Sequence, residues 1–151
     1  MIYWFTGQPM HGKTTLAKML KEFLLKYYND SDVFTIDGDD IRDMFSNKDY
    51  SINGRVNNIG IAQKIAYYLH KNKKQVIVSL VAPYIDQRED FKQLIGKDIV
   101  EIYVHAERET ERDKFHSEAY IKPKTNFIDI NTTTDTEKES FDKLVKQIKY
   151  W

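Results

Sequence analysis

Gly7-Gln8-Pro9-Met10-His11-Gly12-Lys13-Thr14 is the stretch of sequence that decides the fold. It matches the pattern G-x-x-x-x-G-K-[ST], and it lies between an apolar run, Ile2 to Phe5, and a segment with helical spacing of apolar residues. The two glycines let backbone amides turn inward around phosphate oxygens at the start of a helix, where the helix dipole favours negative charge. The stretch therefore predicts an ATP-binding phosphate loop in which Lys13 bridges the β- and γ-phosphates and the Thr14 hydroxyl ligates Mg²⁺.

His11 occupies a variable position of this pattern. A histidine beside a phosphate group could act as a base, but nothing in the pattern requires an imidazole there. We therefore expect the His11 side chain to face solvent and to contact ATP only as a member of the loop.

Strands and helices alternate along the rest of the chain. Apolar runs predict five strands, at Ile2 to Phe5, Val33 to Ile36, Gln75 to Val81, Ile99 to Val104 and Phe127 to Ile130. Helical spacing predicts helices at Gly12 to about Tyr28, from Ile41 with Asp40 as its cap, at Val56 to Leu69, at Glu107 to about Phe115 and at Thr136 to Ile148. This alternation indicates an α/β fold, a five-stranded parallel sheet with helices on both faces, and the loop makes it a P-loop NTPase fold.

The composition is that of one globular domain. The chain has 151 residues, 41% of them hydrophobic and 30% charged, and we expect one domain over residues 1–151. Its 23 basic and 23 acidic residues balance, so the net charge gives no attraction to nucleic acid or to a membrane surface. With no cysteine, a disulfide framework, a thiol nucleophile and a thiolate metal site are excluded. The apolar runs are too short for a membrane span, and we expect a cytoplasmic protein.

Carboxylates and arginines follow the second predicted strand. Asp37 and Asp39 stand where that strand ends, on the same rim as the phosphate loop. Asp39, beyond the flexible Gly38, is the better placed to orient an acceptor hydroxyl or to hold Mg²⁺. Arg42 and, further along, Arg55 suit an anionic acceptor, because a guanidinium binds phosphate or sulfate oxygens with two hydrogen bonds.

These residues together resemble the adenylylsulfate (APS) kinases, which transfer the γ-phosphate of ATP to the 3′-hydroxyl of adenosine 5′-phosphosulfate in sulfate assimilation. The run from Thr35 to Arg42 (TIDGDDIR) is similar to that family's L-D-G-D-N-[IL]-R, and Ser79 to Tyr84 (SLVAPY) is similar to its S-F-I-S-P-Y. The resemblance extends over most of the chain.

The resemblance implies a role for several residues. Asp39 would be the catalytic carboxylate, and Tyr50 would replace the phenylalanine that stacks on the acceptor adenine. The acceptor would also contact Asp37, Arg42, Arg55, Asn58, Val81 and Ala82. ATP would contact the loop as far as Thr15. It would also contact Arg112 and Thr132. The product would be PAPS, and Mg²⁺ would be the cofactor. The partner would be a small nucleotide, and the chain would be either a monomer or a homodimer.

The chain also departs from that family. Gly60, Ile61 and Ile85 stand at positions where the family has arginine, and Gly54 replaces an aspartate. Between Lys114 and Tyr120 the long lid with its Phe-Thr-Gly sequence is missing. Two alternatives therefore stay open: a kinase for another small hydroxyl acceptor, such as a nucleotide, nucleoside or sugar acid, and a nucleotide-binding module without an acceptor.

Overall fold

The computed structural model describes residues 1–107 and 117–151. Its strands are β1 (Ile2–Thr6), β2 (Val33–Asp37), β3 (Gln75–Ser79), β4 (Ile99–His105) and β5 (Phe127–Asn131). Its helices are α1 (Lys13–Leu24), α2 (Gly38–Met44), α3 (Ile52–Lys71), α4 (Ile85–Ile95) and α5 (Glu137–Ile148). The helix predicted from Glu107 to about Phe115 falls on residues 108–116, outside the described part apart from its first residue.

The strands form one five-stranded sheet in the order β2-β3-β1-β4-β5. Every neighbouring pair is parallel, for example Tyr3 opposite Ile77 on one side and opposite Val100 on the other. The predicted α/β architecture is confirmed, with β1 at the centre. The chain leaves β1 towards β2 and β3 and later returns to the other side for β4, so the strand order reverses at β1.

The two faces of β1 feed two separate cores. Tyr3 and Phe5 pack with α1 and α5 on one face, whereas Ile2 and Trp4 pack with α2, α3 and α4 on the other. Trp4 is 2% exposed, and its ring centroid lies 5.3 Å from that of Phe91 in α4. Burial on both faces explains why β1 reads as an uninterrupted apolar run rather than an alternating one.

Two helix starts differ from the predicted ones. α2 begins at Gly38, because the Asp37 carboxylate accepts a hydrogen bond of 2.9 Å from the Asp39 amide and caps the helix there, a role we had predicted for Asp40. α3 begins at Ile52, because the Ser51 hydroxyl caps it through the Gly54 amide. Both helices therefore begin earlier in the chain than the spacing of apolar residues predicts.

Among the described helices, none has both the length and the apolar character that a membrane-spanning helix needs.

Candidate active site

The site lies at the carboxyl ends of β1, β2 and β3, beside the strand at which the sheet order reverses. Open parallel sheets bind ligands at this kind of position, because loops on either side of the switch separate and leave a crevice. The phosphate loop follows β1, Asp37 ends β2 and Asp39 lies in the first turn of α2, and Val81 and Ala82 follow β3.

Two glycines allow the phosphate loop to take its path. Gly7 has φ 141°, and a Cβ added there would lie 2.0 Å from the carbonyl oxygen of Val104 in β4. Gly12, with φ 100°, precedes the first residue of α1 in the left-handed region. Since both conformations are strained for any other residue, the loop depends on glycine at both positions. No acidic residue stands in the first turn of α1, so the helix start stays electropositive.

Lys13 crosses the loop that it belongs to. Its Nζ donates a 2.7 Å hydrogen bond to the carbonyl oxygen of Gln8, and the residue is buried. Burial lowers the pKa of Lys13 to about 8, although the negative charges of Asp37 and Asp39 act in the opposite direction. The ammonium group is thus short of counter-charge, and phosphate oxygens would supply it.

The prediction for the His11 side chain is wrong. His11 is 6% exposed, and its Nδ1 accepts a hydrogen bond of 3.3 Å from the amide of Ala106, just beyond β4. Its carbonyl oxygen accepts a hydrogen bond of 2.9 Å from the Thr132 hydroxyl, just beyond β5. The imidazole is buried because the ends of two strands on the other side of β1 contact the middle of the loop.

Thr132 therefore supports the loop from behind. Its hydroxyl also lies 3.3 Å from the carbonyl oxygen of His105, and the residue is buried. A direct contact between Thr132 and ATP stays a prediction, as does that of Thr15. Arg112, the other residue predicted to bind ATP, lies outside the described residues.

A link that the sequence did not indicate joins the loop to the segment before β5. The Gln8 side chain donates to the carbonyl oxygen of Ser117 at 2.9 Å and accepts from its amide at 3.0 Å. Gln8 is at a variable position of the pattern, so no sequence signal distinguished it. The pair fixes one end of residues 117–120 beside the phosphate loop.

The two acidic residues after β2 differ in their surroundings. Asp37 is partly buried, caps α2 and has a pKa raised chiefly by that burial. Asp39 is exposed, and its carboxylate accepts no hydrogen bond from the described residues. Asn58 in α3 fixes the turn between them, since its Nδ2 donates 3.2 Å to the carbonyl oxygen of Gly38. The exposed Asp39 carboxylate is thus accessible to a ligand, and its predicted catalytic role stays a prediction.

Arg42 of α2 and Arg55 of α3 come together at Tyr50, in the loop between these helices. The guanidinium carbon of Arg42 lies 4.1 Å from the Tyr50 ring centroid, and that of Arg55 lies 5.8 Å from it. Arg42 also donates to the carbonyl oxygens of Asn47 and Asp49, at 3.2 and 2.8 Å, and Arg55 donates to that of Tyr50 at 3.0 Å. Tyr50 is 62% exposed. We call these three residues the acceptor cluster.

Gly54 permits this loop to approach α3. A Cβ at position 54 would stand 2.2 Å from the carbonyl oxygen of Asp49 and 2.5 Å from its carboxyl carbon. The resembling family has an aspartate where this chain has Gly54. Here the Asp49 carboxyl group lies close to the place where the side chain of an aspartate at position 54 would begin.

Oxygen donors suited to Mg²⁺ lie at the same edge. They are the exposed hydroxyl of Thr14, in the first turn of α1, and the carboxylates of Asp37 and Asp39. Within residues 1–107 and 117–151, no group of three or more histidine, aspartate or glutamate side chains forms a metal cage. This set fits Mg²⁺, which at nucleotide sites is bound by one or two side chains together with substrate phosphates.

Comparison with known proteins agrees with this geometry. The family model of adenylylsulphate kinase matches residues 1–143. The adenylyl-sulfate kinase of Buchnera aphidicola subsp. Acyrthosiphon pisum is 32% identical over 143 residues, which cover 90% of this chain and 68% of that protein. The cytidine diphosphoramidate kinase of Campylobacter jejuni is 29% identical over 143 residues, covering 94% and 80%.

A solved structure shares the fold. The APS kinase of Mycobacterium tuberculosis in complex with AMPPNP and APS superposes with a TM-score of 0.79, covering 98% of this chain and 96% of that one. At 17% identity this likeness concerns the fold, which is that of P-loop kinases.

Proposed function

The chain belongs to the adenylylsulphate kinase family, and from that membership we propose that it transfers the γ-phosphate of ATP to the 3′-hydroxyl of APS, giving PAPS. It is a phosphotransferase that uses ATP and acts on an alcohol group. The observation that carries this function is Lys13, buried in a phosphate loop and close enough to the Asp39 carboxylate to feel its charge, together with the two arginines that meet at Tyr50.

In this proposal the phosphate loop holds the donor. Main-chain N–H groups of the loop up to Thr15, with none from Pro9, surround the phosphates, and the Lys13 Nζ exchanges the Gln8 carbonyl oxygen for phosphate oxygens. Phosphoryl transfer spreads charge over the equatorial oxygens of the γ-phosphate, so a fixed cation there stabilises the transition state. Mg²⁺, when bound to Thr14 and Asp39, would neutralise the β- and γ-phosphate charge.

Asp39 and the acceptor cluster hold the acceptor. The Asp39 carboxylate accepts a hydrogen bond from the attacking hydroxyl and orients it in line with the γ-phosphate. Arg42 and Arg55 bind the phosphosulfate oxygens, Tyr50 stacks on the base, and Asp37, Asn58, Val81 and Ala82 complete the wall. Contact between Arg112 and the ATP phosphates is part of the same proposal.

A transfer assay tests the proposal. ATP labelled at the γ-position is incubated with the purified protein and APS, and the products are separated by ion exchange. We expect label in PAPS, and no transfer when the acceptor lacks a 3′-hydroxyl. Release of labelled inorganic phosphate at the same rate with and without APS would contradict the proposal.

A second acceptor is favoured by one specific observation. Gly60, Ile61 and Ile85 stand where the resemblance leads us to expect arginine, and one relative of similar identity acts on cytidine diphosphoramidate. The same assay therefore includes a cytidine diphosphate derivative. If the label appears in the phosphorylated cytidine derivative and not in PAPS, the protein is a kinase with a different acceptor.

The location and assembly belong to the same proposal. We place the enzyme in the cytoplasm, as one kinase domain over residues 1–151 that is either a monomer or a homodimer. Light scattering during gel filtration measures the assembly directly, and a monomeric mass at assay concentration would contradict the dimer.

A further inference from the structure

A buried charge cluster lies under the loop that follows β3. Arg88 of α4 is 2% exposed and Glu101 of β4 is 1% exposed. The Arg88 Nε donates to one Glu101 carboxylate oxygen at 2.7 Å, and the Lys92 Nζ donates to the other at 2.6 Å. Neither Arg88 nor Glu101 has a part in the site described above.

The rest of the Arg88 guanidinium holds main chain. Its Nη1 donates to the carbonyl oxygen of Ala82, and its Nη2 donates to that of Ile121 at 2.5 Å. Ala82 belongs to the loop after β3, and Ile121 belongs to the segment that leads into β5. One side chain thus connects two loops at the carboxyl edge of the sheet to a strand beneath them.

Ala82 is in a conformation that its neighbours must maintain. Its φ is 44°, in the left-handed region that residues other than glycine rarely adopt. Strained residues of this kind persist where surrounding contacts determine the backbone, and they concentrate at ligand sites. The hydrogen bond from Arg88 to the Ala82 carbonyl group is one such contact.

The phosphate loop holds the same segment from the opposite side. The Thr6 hydroxyl donates to the Val81 carbonyl oxygen at 2.8 Å, and the Gly7 amide lies 3.5 Å from that oxygen. The hydroxyls of Thr6 and Tyr120 share a hydrogen bond of 3.0 Å. Ile121 also contacts the loop after β3, since its amide donates to the carbonyl oxygen of Pro83 at 3.0 Å.

We propose that Arg88 is a positioning residue for phosphoryl transfer, which holds Val81 and Ala82 at a fixed distance from the phosphate loop and so aligns the acceptor nucleotide with the γ-phosphate. The inference rests on the proposed function, because Val81 and Ala82 are acceptor contacts only there. A guanidinium suits the task because its planar set of donors reaches a carboxylate and two carbonyl groups together. The ammonium of lysine has no such fork.

The test separates acceptor binding from donor binding. Arg88→Lys keeps the buried charge and loses the fork, and we expect kcat/KM for the acceptor to fall by tenfold to about 10²-fold, the size of a small misplacement of a reactant. KM for ATP should stay within about twofold, since the phosphate loop keeps its own contacts. Glu101→Gln leaves Arg88 without its anion and should act in the same direction, which keeps the test available if Arg88→Lys does not fold.

The matched control is Lys92→Met. It removes the other cation bound to Glu101 and touches neither Ala82 nor Ile121, so it should lower Tm and leave acceptor KM unchanged. Equal changes of acceptor KM in Arg88→Lys and Lys92→Met, or equal losses for ATP and acceptor, would overturn the proposal. Failure of the wild-type protein to transfer phosphate to any acceptor would instead refute the proposed function, and the role of Arg88 with it.

Discussion

The donor and acceptor sides of the crevice are built in opposite ways. On the donor side Lys13 is 8% exposed, and the loop around it is determined by glycine conformations and by contacts with the ends of β4 and β5. On the acceptor side Tyr50 is 62% exposed, and Arg42 and Arg55 are held by carbonyl groups of the loop between α2 and α3. The donor side is therefore preorganised by the sheet, whereas on the acceptor side the proposed function requires internal contacts to be exchanged for ligand contacts.

The largest expected effect is the loss of activity when Lys13 is removed from the donor side. Lys13→Ala should lower kcat/KM by roughly 10²–10³-fold or more, comparable to deleting one donor of an oxyanion site, because the transferring phosphoryl group loses its cation. Stopped-assay kinetics with a folded variant, checked by circular dichroism, measure the loss. Lys18→Ala, an exposed lysine on the same helix, serves as the control and should keep wild-type kinetics. Near-normal transfer by Lys13→Ala would refute the mechanism.

The next largest effect is expected when a cation is removed from the acceptor side. Arg42→Ala and Arg55→Ala should each weaken APS binding by about 1.5–3 kcal/mol, the range for hydrogen bonds to charged groups, with ADP affinity unchanged. Titration calorimetry with both nucleotides measures this. Arg42→Ala should also lower Tm more than Arg55→Ala, since Arg42 donates to two carbonyl groups of the loop. Equal losses for ADP and APS would move both arginines out of the acceptor site.

Base selection is expected to depend on Tyr50. Because the sequence between Lys114 and Tyr120 lacks the Phe-Thr-Gly segment, Tyr50 is the aromatic face we assign to the acceptor base. Stacking contributes about 1–3 kcal/mol per base, so Tyr50→Ala should remove most of the preference for APS over acceptors with altered bases. Tyr50→Phe is the matched control and should be nearly silent, since the ring does the stacking. An unchanged ratio of kcat/KM values in Tyr50→Ala would show that the base is selected elsewhere.

A smaller effect follows from the pKa of Lys13, which burial lowers from the ordinary value of 10.5 to about 8. Bound phosphates favour the charged ammonium, so ATP binding should take up a proton above about pH 8, and affinity should fall as pH rises through that value. The unfolded chain keeps its proton up to about 10.5, so this group also makes the folded state more stable as pH rises between the two values. Calorimetry at about pH 9 in buffers of different ionisation enthalpy measures the uptake, which Lys13→Met should abolish.

How far the sequence predicts this molecule depends on how local each feature is. The phosphate loop is recognisable because glycine and lysine spacing determines it, and the strands are recognisable because burial on both faces leaves apolar runs. The burial of His11 could not be predicted, since it comes from residues just beyond β4 and β5, which are 95 and 121 residues away in the chain.

The Arg88–Glu101 pair was missed for a different reason. Charged residues are ordinarily at the surface, so an arginine on a helix carries no signal of its own. The signal lay in β4, where Glu101 interrupts an apolar run predicted to be buried on both faces. A glutamate in such a strand needs a buried cation, and α4 supplies Arg88 and Lys92.

The placement of Trp4 gives the protein a built-in optical reporter. Its indole lies in the core under the site, tilted by 58° against the Phe91 ring, and its Nε1 has no hydrogen-bond partner among the described residues. The second indole, that of Trp151, is 44% exposed. Emission from an apolar environment is blue-shifted relative to emission from water, so the two fluorophores differ in colour and in access to iodide. Trp151→Phe leaves Trp4 as the sole emitter, and its red shift on denaturation follows the melting of the α4 side of the sheet without any added dye.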